Sequence, residues 1–250
     1  MPTVRKQTRR TTTPRPAVLV TGGSGGIGRA ICLAFAQAGW NVGVHYRTNA
    51  RMAAQVVSAV RIRGGHGLAL QADICDGKQV QEMVARLLDR WGRLDVLVCC
   101  AGQASSGLIV RMSFQDWIDK VAVNLTGTFH CLQAAGAVMV SKRHGAIIIV
   151  GSLASLQGQT GQAAYAAAKA GLLGLMKTAA KEWGPHSVCV NVVFPGWHKT
   201  ALAGSAFPSV PEAHTVGCTP DLKKVADSIY HLAQLEDVSG QVWNLDSRIL

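Results

Sequence analysis

The sequence predicts an α/β protein, a doubly wound parallel sheet of about seven strands with helices on both faces. Apolar runs rich in Val, Ile and Leu alternate along the chain with segments of helical periodicity. Strands of such unbroken apolar character are typical of parallel sheets, which are buried on both faces. The alternation shows no break in composition, so we expect one domain within the 250 residues.

The predicted strands are short apolar runs, and they alternate in order with the predicted helices. The strands are Ala17–Thr21, Asn41–Tyr46, Gly67–Gln71, Leu94–Cys99, Ala146–Gly151, Ser187–Val193 and Gln241–Leu245. The helices, where apolar residues recur with helical spacing, are Ile27–Ala38, Asn49–Arg63, Lys78–Trp91, Ser113–Val140, Gln162–Trp183 and Asp221–Gln234. Right-handed crossovers through these helices would place the strands in one sheet.

Positive charge is concentrated at the start of the chain. The formal net charge is +11, and ten Lys or Arg but no Asp or Glu precede Asp73. Five of these basic residues lie in residues 1–16, a Thr-, Arg- and Pro-rich segment without periodicity. We expect this segment to be a disordered basic arm ahead of a domain of residues 17–250. A nucleic-acid or targeting role is the alternative, but the charges lack interleaved aromatic residues, which disfavours nucleic acid.

Composition argues against several other classes of protein. No run of about 18 apolar residues occurs, so a membrane-spanning helix is not expected. The seven cysteines form no Cys-x-x-Cys pair, and no secretory signal opens the chain. We therefore expect reduced, mostly buried thiols in a cytoplasmic protein without a bound metal.

A glycine-rich segment follows the first predicted strand and opens the first predicted helix. It reads Thr21-Gly22-Gly23-Ser24-Gly25-Gly26-Ile27-Gly28. Glycines allow backbone N–H groups to approach a pyrophosphate at a helix N-terminus. In this strand–turn–helix context the segment predicts a dinucleotide site.

The ends of the next two strands predict the kind of dinucleotide. The second strand ends without a carboxylate that could bond a ribose 2′-hydroxyl. Arg47, followed by Thr48, instead stands where a guanidinium can meet a 2′-phosphate, which favours NADP(H). Arg51 either assists or is an exposed helix charge. The pair Asp73-Ile74 follows the third strand, where Asp73 can bond the adenine amino group or cap the next helix.

The segment Tyr165-Ala-Ala-Ala-Lys169 is the strongest candidate for chemistry. Residues at i and i+4 share one face of a helix. An ammonium beside a phenol favours the phenolate, so we expect Lys169 to lower the pKa of Tyr165. Such a phenol can donate and accept the proton when a carbonyl and an alcohol interconvert. Ser152, thirteen residues upstream, could hold the carbonyl oxygen.

In order and spacing, these motifs resemble those of the short-chain dehydrogenases/reductases, over nearly the whole chain. The matching motifs are Thr21–Gly28, Asp73, Ala101-Gly102, Asn124-Leu125, Ser152, Tyr165-x-x-x-Lys169, Asn191-Val192 and Pro195-Gly196. The strings around Tyr165 and at Lys142-Arg143-His144-Gly145 look most like the 3-oxoacyl-[acyl-carrier-protein] reductases of that family. The resemblance implies a Rossmann-like fold and a nicotinamide-dependent reductase of ketones.

The resemblance also implies a role for each matching residue. Tyr165 would be the general acid, and Lys169 would bond the nicotinamide ribose. Ser152 would position the substrate carbonyl together with Tyr165, and Asn124 would hold a water that links Lys169 to solvent. Further contacts are implied for Ala101, Gly102, Pro195, Gly196 and Thr200 with the cofactor, and for Gln162 and Trp197 with the substrate.

Three segments depart from the family pattern. Cys99-Cys100 replaces the usual Asn-Asn, which removes the amide hydrogen bonds, and we interpret these cysteines as small buried hydrophobes. Trp197-His198-Lys199 is more polar than the usual aliphatic pair, and its lysine faces either solvent or an anionic substrate. The segment belongs to a proline-containing loop, about 195–220, which we expect to be a lid. Asn244–Leu250 replaces a Gly-Gly tail.

The resemblance implies a 3-oxoacyl thioester as substrate, carried on acyl carrier protein or coenzyme A. It also implies a homotetramer or homodimer in which the helices Ser113–Val140 and Gln162–Trp183 pair across subunits. The basic positions that would dock a carrier protein are His130 and Lys181. Because the histidine is only a weak base, this pattern is weaker than the family's usual one.

Two alternatives stay open. One is a reductase or dehydrogenase of a free small ketone, sugar or polyketide intermediate, with a pocket shaped by Trp197, Lys199 and Phe207. The other is a non-enzymatic cofactor-binding scaffold whose basic arm recruits nucleic acid. The complete set of Asn124, Ser152, Tyr165 and Lys169 argues against the scaffold.

Overall fold

A computed structural model describes residues 15–104, 107–198, 200, 215 and 217–248 of the chain. Within this part, one parallel sheet has the strand order β3-β2-β1-β4-β5-β6-β7. The strands are β1 (Ala17–Thr21), β2 (Asn41–Tyr46), β3 (His66–Gln71), β4 (Val96–Cys99), β5 (Gly145–Val150), β6 (Val188–Phe194) and β7 (Val242–Asn244). The predicted doubly wound sheet is confirmed, and its order reverses between β1 and β4.

The predicted helices are also present, with ends within a few residues of those expected. They are α1 (Gly26–Gln37), α2 (Ala50–Ile62), α3 (Gly77–Trp91), α4 (Phe114–Val121), α5 (Gly127–Lys142), α6 (Ala154–Gln157), α7 (Ala163–Trp183) and α8 (Leu222–Leu232). The single helix predicted over Ser113–Val140 is wrong in one respect, because a π-turn, Ala122–Thr126, separates α4 from α5. The four-residue α6 was not expected, since it is too short to show a period.

Alternate residues of each strand face two separate hydrophobic cores. Val18 and Val20 of β1 pack on one face with α1, α2 and α8. Ala17 and Leu19 pack on the other face with α3, α5 and α7. Because both faces are covered, the strands are apolar along their whole length, which explains the continuous runs in the sequence. None of the helices in the described ranges has the length and apolar character needed to cross a bilayer.

The domain begins slightly earlier than predicted. Nη1 of Arg15 donates to the carbonyl oxygens of Gly64, at 2.8 Å, and Gly39, at 3.3 Å. The backbone N–H of Asn41 donates to the carbonyl of Pro16 at 2.9 Å. These two residues therefore belong to the domain and not to the arm. The rest of the predicted arm, residues 1–14, lies outside the described residues, as do Lys199, Phe207 and most of the predicted lid.

Candidate active site

A cleft of about 500 Å³ lies at the carboxyl ends of the strands, where the strand order reverses. Parallel strands place the loops that follow them at one edge of the sheet, which brings together residues far apart in sequence. The predicted site residues in its lining are Gly22, Ser24, Gly26, Ile27, Gly28, Ala101, Gly102, Ser152, Gln162, Tyr165, Lys169, Pro195, Gly196, Trp197 and Thr200. The predicted cofactor and substrate residues thus share one cleft.

The glycine-rich turn forms one wall of this cleft. Gly22 has a φ of +66°, a conformation that favours glycine. A Cβ added to Gly28 would lie 2.3 Å from the carbonyl oxygen of Gly22, and one added to Gly26 would lie 2.5 Å from Cγ2 of Thr200. Helix α1 has no acidic residue in its first turn and no side-chain cap. The N-terminus of α1 thus has no side-chain cap and leaves no room for larger side chains in the turn. This arrangement fits the diphosphate of a dinucleotide.

A residue that the sequence analysis missed holds this turn in place. His45 is 3 % exposed at the end of β2. Its Nδ1 accepts from the backbone N–H of Gly22 at 2.9 Å, while its Nε2 donates to the carbonyl of Ala72 at 3.0 Å. A single neutral tautomer satisfies both bonds, and burial lowers the pKa of His45 below its usual 6.5. A polar residue inside an apolar strand was the signal that could have identified it.

Thr21 supports the backbone after β4, where Cys99-Cys100 stands in place of the usual Asn-Asn. Its Oγ1 accepts from the backbone N–H groups of Cys100, at 3.0 Å, and Ala101, at 3.1 Å. A hydroxyl from β1 therefore holds this loop. Cys99 is buried as predicted, whereas Cys100 is half-buried and lines the cleft. Burial raises the pKa of the Cys100 thiol to about 11, so it is a thiol at neutral pH.

The residues singled out for chemistry converge on the cleft. Ser152 follows β5, and Tyr165 and Lys169 lie one turn apart on α7. A hydrogen bond joins the side chains of Ser152 and Tyr165. Nζ of Lys169 donates to the carbonyl of Val150 at 2.7 Å and lies 5.7 Å from the centroid of the Tyr165 ring. A carbonyl oxygen placed in the cleft can thus meet two adjacent hydroxyl groups.

Burial governs the ionisation of this pair. It lowers the pKa of Lys169 to about 8. It also raises the pKa of Tyr165, although the hydrogen bond with Ser152 opposes that rise. The net shift of the Tyr165 pKa in this structure is therefore upward, opposite to the expected lowering, because loss of solvent is the largest effect. At neutral pH Tyr165 keeps its proton, which is the form that a proton donor requires.

Asn124 lies in the π-turn behind the cleft and is fully buried. Its Nδ2 donates to the carbonyls of Gln103, at 2.9 Å, and Lys120, at 3.0 Å, and its Oδ1 accepts from the N–H of Gln103 at 3.1 Å. A Cβ on Gly102 would lie 2.8 Å from this Oδ1 and 3.8 Å from Nζ of Lys169. Asn124 therefore holds the loop after β4 close to Lys169, and its role in holding a water stays a prediction.

The residues predicted to select the phosphorylated cofactor lie beside the cleft, at the ends of β2 and β3. Nη1 of Arg47 is 3.8 Å from Oδ2 of Asp73, and both side chains are partly exposed. Oδ1 of Asp73 accepts from the N–H of Cys75, whereas the cap of α3 is Asp76. The interpretation of Asp73 as a helix cap is therefore wrong.

The other residues predicted near this pair are Thr48, Arg51 and Ile74, and they differ in solvent exposure. Thr48 and Arg51 are exposed at the start of α2. Ile74 packs its side chain against Gly127 of α5, where a glycine Cβ would lie 2.7 Å from Cδ1. The side chain of Ile74 is therefore packed against a helix, and its contact with the cofactor stays a prediction.

The loop after β6 and the predicted carrier-docking positions also have structural roles. Nε2 of His198 donates to the carbonyl of Pro195 at 2.8 Å, and burial lowers the pKa of His198. This agrees with its interpretation as a loop residue. Nδ1 of His130 donates to the carbonyl of Ile74 at 2.9 Å, which leaves exposed Lys181 as the available base of that pair.

Comparison with known proteins identifies the family. The model of the short chain dehydrogenase family matches residues 16–210. The chain belongs to the short-chain dehydrogenases. A member of this family is an oxidoreductase that acts on CH–OH or C=O groups with a nicotinamide cofactor. The glycine turn and the cleft of this short-chain dehydrogenase fit that chemistry.

Relatives and solved structures agree with this assignment. The 3-oxoacyl-[acyl-carrier-protein] reductase FabG of Staphylococcus epidermidis is 41% identical over 181 residues, 72% of this chain and 74% of that protein. The 3-oxoacyl-[acyl-carrier-protein] reductase of Synechocystis is 41% identical over 184 residues, 74% of each chain. A dehydrogenase/reductase structure from Sinorhizobium meliloti has a TM-score of 0.86 at 31% identity, and covers 95% of this chain and 96% of that one.

Proposed function

We propose that this short-chain dehydrogenase reduces a ketone to a secondary alcohol with NADPH, with Tyr165 as the proton donor. The observation that carries the proposal is the convergence of Ser152, Tyr165 and Lys169 in the cleft that the glycine turn lines. Carbonyl reduction needs a hydride from a cofactor and a proton from an acid. The glycine turn and the hydroxyl groups of Ser152 and Tyr165, within one cleft, would meet these two needs.

Each residue has a defined task in the reaction. A nicotinamide cofactor held by the glycine turn would supply the hydride that the carbonyl carbon accepts. The hydroxyls of Ser152 and Tyr165 bind the carbonyl oxygen, where negative charge develops. Tyr165 gives its proton to that oxygen, so the products are the alcohol and the oxidised nicotinamide. Lys169, fixed by the carbonyl of Val150, lies beside Tyr165 to support its reprotonation.

Arg47 supports the preference for NADPH. Its guanidinium is half-exposed at the end of β2, and its pairing with Asp73 at 3.8 Å is loose enough to be exchanged for a 2′-phosphate. No carboxylate on β2 or in the turn after it competes for a ribose 2′-hydroxyl.

A 3-oxoacyl thioester is the substrate class that the relatives support. Two of the similar proteins are named 3-oxoacyl-[acyl-carrier-protein] reductases. The engagement of His130 with Ile74 weakens the case for carrier-protein docking, so the free small ketone stays as the second candidate.

Oxidation of NADPH by the purified protein tests the proposal. Acetoacetyl-CoA and a panel of unrelated ketones serve as substrates, with NADH measured in parallel. Turnover of at least one ketone with NADPH and not with NADH is the expected result, and turnover of the thioester would support the acyl substrate. Turnover of another ketone but not the thioester would keep the chemistry and change the substrate class, and the absence of turnover on every ketone would contradict the proposal.

A further inference from the structure

The C-terminal segment contributes an ion pair to the wall of the cleft. The proposed hydride and proton transfers do not use this ion pair. Asp246 and Arg248 both line the cleft that contains Tyr165. They belong to the segment Asn244–Leu250, which replaces the Gly-Gly tail of the reductases that this chain resembles. The Asp246 side chain is 1% exposed and that of Arg248 is 21% exposed. A buried pair of this kind is costly unless its geometry is good.

The geometry of the pair leaves part of the guanidinium available. Nε of Arg248 lies 3.0 and 3.1 Å from the two carboxylate oxygens of Asp246, and Nη2 donates to Oδ2. The carboxylate therefore occupies one edge of the planar guanidinium. Nη1 has no hydrogen-bond partner among the described residues. Because a guanidinium carries five N–H donors in a fixed fork, the edge formed by Nη1 and Nη2 can bind a second anion.

Neighbouring groups hold the guanidinium in place. Its central carbon lies 5.6 Å from the centroid of the Trp197 ring, in the range of a cation–π contact. The backbone N–H of Arg248 donates to Oδ1 of Asp246 at 3.0 Å, and the carbonyl of Ser247 accepts from the N–H of Thr215 at 3.0 Å. Arg248 is thus preorganised, which lowers the entropy that binding would cost.

The segment lies next to the turn that the family resemblance places at the nicotinamide. A Cβ on Gly196 would lie 3.4 Å from Cα of Asp246. The two hydroxyls that bind the ketone oxygen and the free edge of Arg248 therefore border the same cleft. A substrate whose ketone meets Tyr165 can carry an anionic group to Arg248.

We propose that Arg248 binds a carboxylate of the substrate, so that the ketone reduced by this enzyme is a keto acid. A planar carboxylate matches the fork of a guanidinium in two parallel hydrogen bonds. The neighbouring carboxylate of Asp246 offsets most of the positive charge, so a singly charged anion is favoured over a dianionic phosphate. This inference rests on the proposed ketone reduction, and it selects the free small ketone over the thioester.

Matched pairs of substrates test the inference. Acetoacetate is compared with ethyl acetoacetate, and 4-oxopentanoate with its methyl ester, at saturating NADPH. For the wild-type enzyme we expect kcat/KM to be at least tenfold higher for one acid than for its ester. In Arg248→Met this ratio falls at least tenfold, mainly through KM, and Arg248→Lys keeps part of it because the charge remains without the fork. Arg90→Met, which removes an exposed arginine of α3, leaves the ratio unchanged.

Two controls separate this role from a structural one. Arg248→Met removes a charged partner of the buried Asp246 carboxylate, so the double variant Asp246→Asn, Arg248→Met removes both charges and must show the same loss of acid preference. The affinity for NADPH is measured in each variant by fluorescence titration. A loss of NADPH affinity in place of acid preference would assign Arg248 to the cofactor and overturn the inference. Equal turnover of acids and esters by the wild-type enzyme would also overturn it.

Calorimetric titration of acetoacetate and 4-oxopentanoate into protein saturated with NADP⁺ gives a readout that does not require turnover. Binding of an acid by the wild-type protein, lost in Arg248→Met, supports the site even if no ketone is reduced. In that case the proposed function fails while the anion site stands. If no acid binds and ketones are still reduced, the function stands and the anion site is refuted.

Discussion

In the proposed reaction, the proton that completes carbonyl reduction comes from Tyr165, whose phenol is protonated at neutral pH because loss of solvent raises its pKa. Tyr165→Phe removes that proton and keeps the ring, so we expect the turnover of ketones to fall at least about 100-fold. NADPH binding should be nearly unchanged, because the glycine turn and the strand ends provide most of the cofactor contacts. Steady-state kinetics and a fluorescence titration of NADPH measure the two quantities. A variant with near-normal turnover would show that the proton comes from another group.

In the proposed function, cofactor choice depends on a second single residue, Arg47. Arg47→Asp replaces the guanidinium with a carboxylate that repels a 2′-phosphate and can bond a 2′-hydroxyl. We expect KM for NADPH to rise by at least about tenfold while KM for NADH rises less or falls. Arg51→Asp, one turn along at the exposed start of α2, is the matched control and should change NADPH binding less. Equal effects of Arg47→Asp on both cofactors would exclude contact with the 2′-phosphate.

His45 makes the stability of the cofactor turn dependent on pH. Its pKa is lowered in the folded protein, so the unfolded chain binds a proton more readily than the native one. The stabilisation from neutral His45 is complete above the unfolded pKa of 6.5 and is lost as the pH falls below it. His45→Asn should therefore flatten the decline in free energy of unfolding between about pH 7.5 and 5. Denaturant titrations measure this slope, and exposed His66→Asn should leave it as it is in the wild-type protein.

At the scale of elements, helical periodicity predicts where helices lie but not how their turns are wound. The apolar pattern predicts one helix over Ser113–Val140, while the structure contains a π-turn around Asn124. The turn is associated with bonds from Asn124 to Gln103, in a loop that lies elsewhere in the chain. Because π-turns are single-turn insertions that cluster at functional sites, the period of a helix does not reveal them.

Asp95 joins two central strands at the end of the sheet away from the cleft. Its Oδ2 accepts from the N–H of Ala17 at 2.7 Å and from Nε of Arg93 at 2.8 Å, and the residue is 5% exposed. Asp95→Ala leaves a buried N–H and a half-buried guanidinium without this acceptor. We expect a loss of about 1–3 kcal/mol in free energy of unfolding, measured by denaturant titration.

Asp89→Ala is the matched control for Asp95→Ala, since Asp89 is exposed on α3 and its loss should cost little. Cofactor affinity should stay normal in the Asp95 variant, because the substitution lies before β4 while the cleft lies after it. If the Asp95 variant were as stable as the Asp89 control, Asp95 would not anchor the two strands.

At the scale of the whole molecule, α4 and α5 expose large apolar side chains. Phe114 is 77% exposed, Ile118 42% and Phe129 43%. Exposed apolar side chains of this kind favour association, in agreement with the subunit pairing that the family resemblance implies. We therefore expect Phe129→Arg to reduce the mass of the assembly, measured by light scattering. Ile62→Arg on α2, at an equally apolar but separate position, should leave the mass unchanged, and a wild-type monomer would refute the pairing.

The sequence by itself determined the fold class, the order of strands and helices, and which residues are candidates for catalysis. These features are local, because a buried parallel strand is a continuous apolar run and an i, i+4 pair lies on one helix face. The glycine turn was recognisable for the same reason, since a strand, a turn and a helix follow one another in the chain.

The tertiary structure alone decided which distant side chains meet and how burial changes their ionisation. His45 reaches Gly22, Arg47 reaches Asp73, and the tail that carries Arg248 reaches the cleft only because the sheet aligns the ends of its strands. The direction of the Tyr165 pKa shift was decided in the same way. A neighbouring lysine is visible in the sequence, but the loss of solvent that raises the pKa of Tyr165 arises only when the whole domain packs around the phenol.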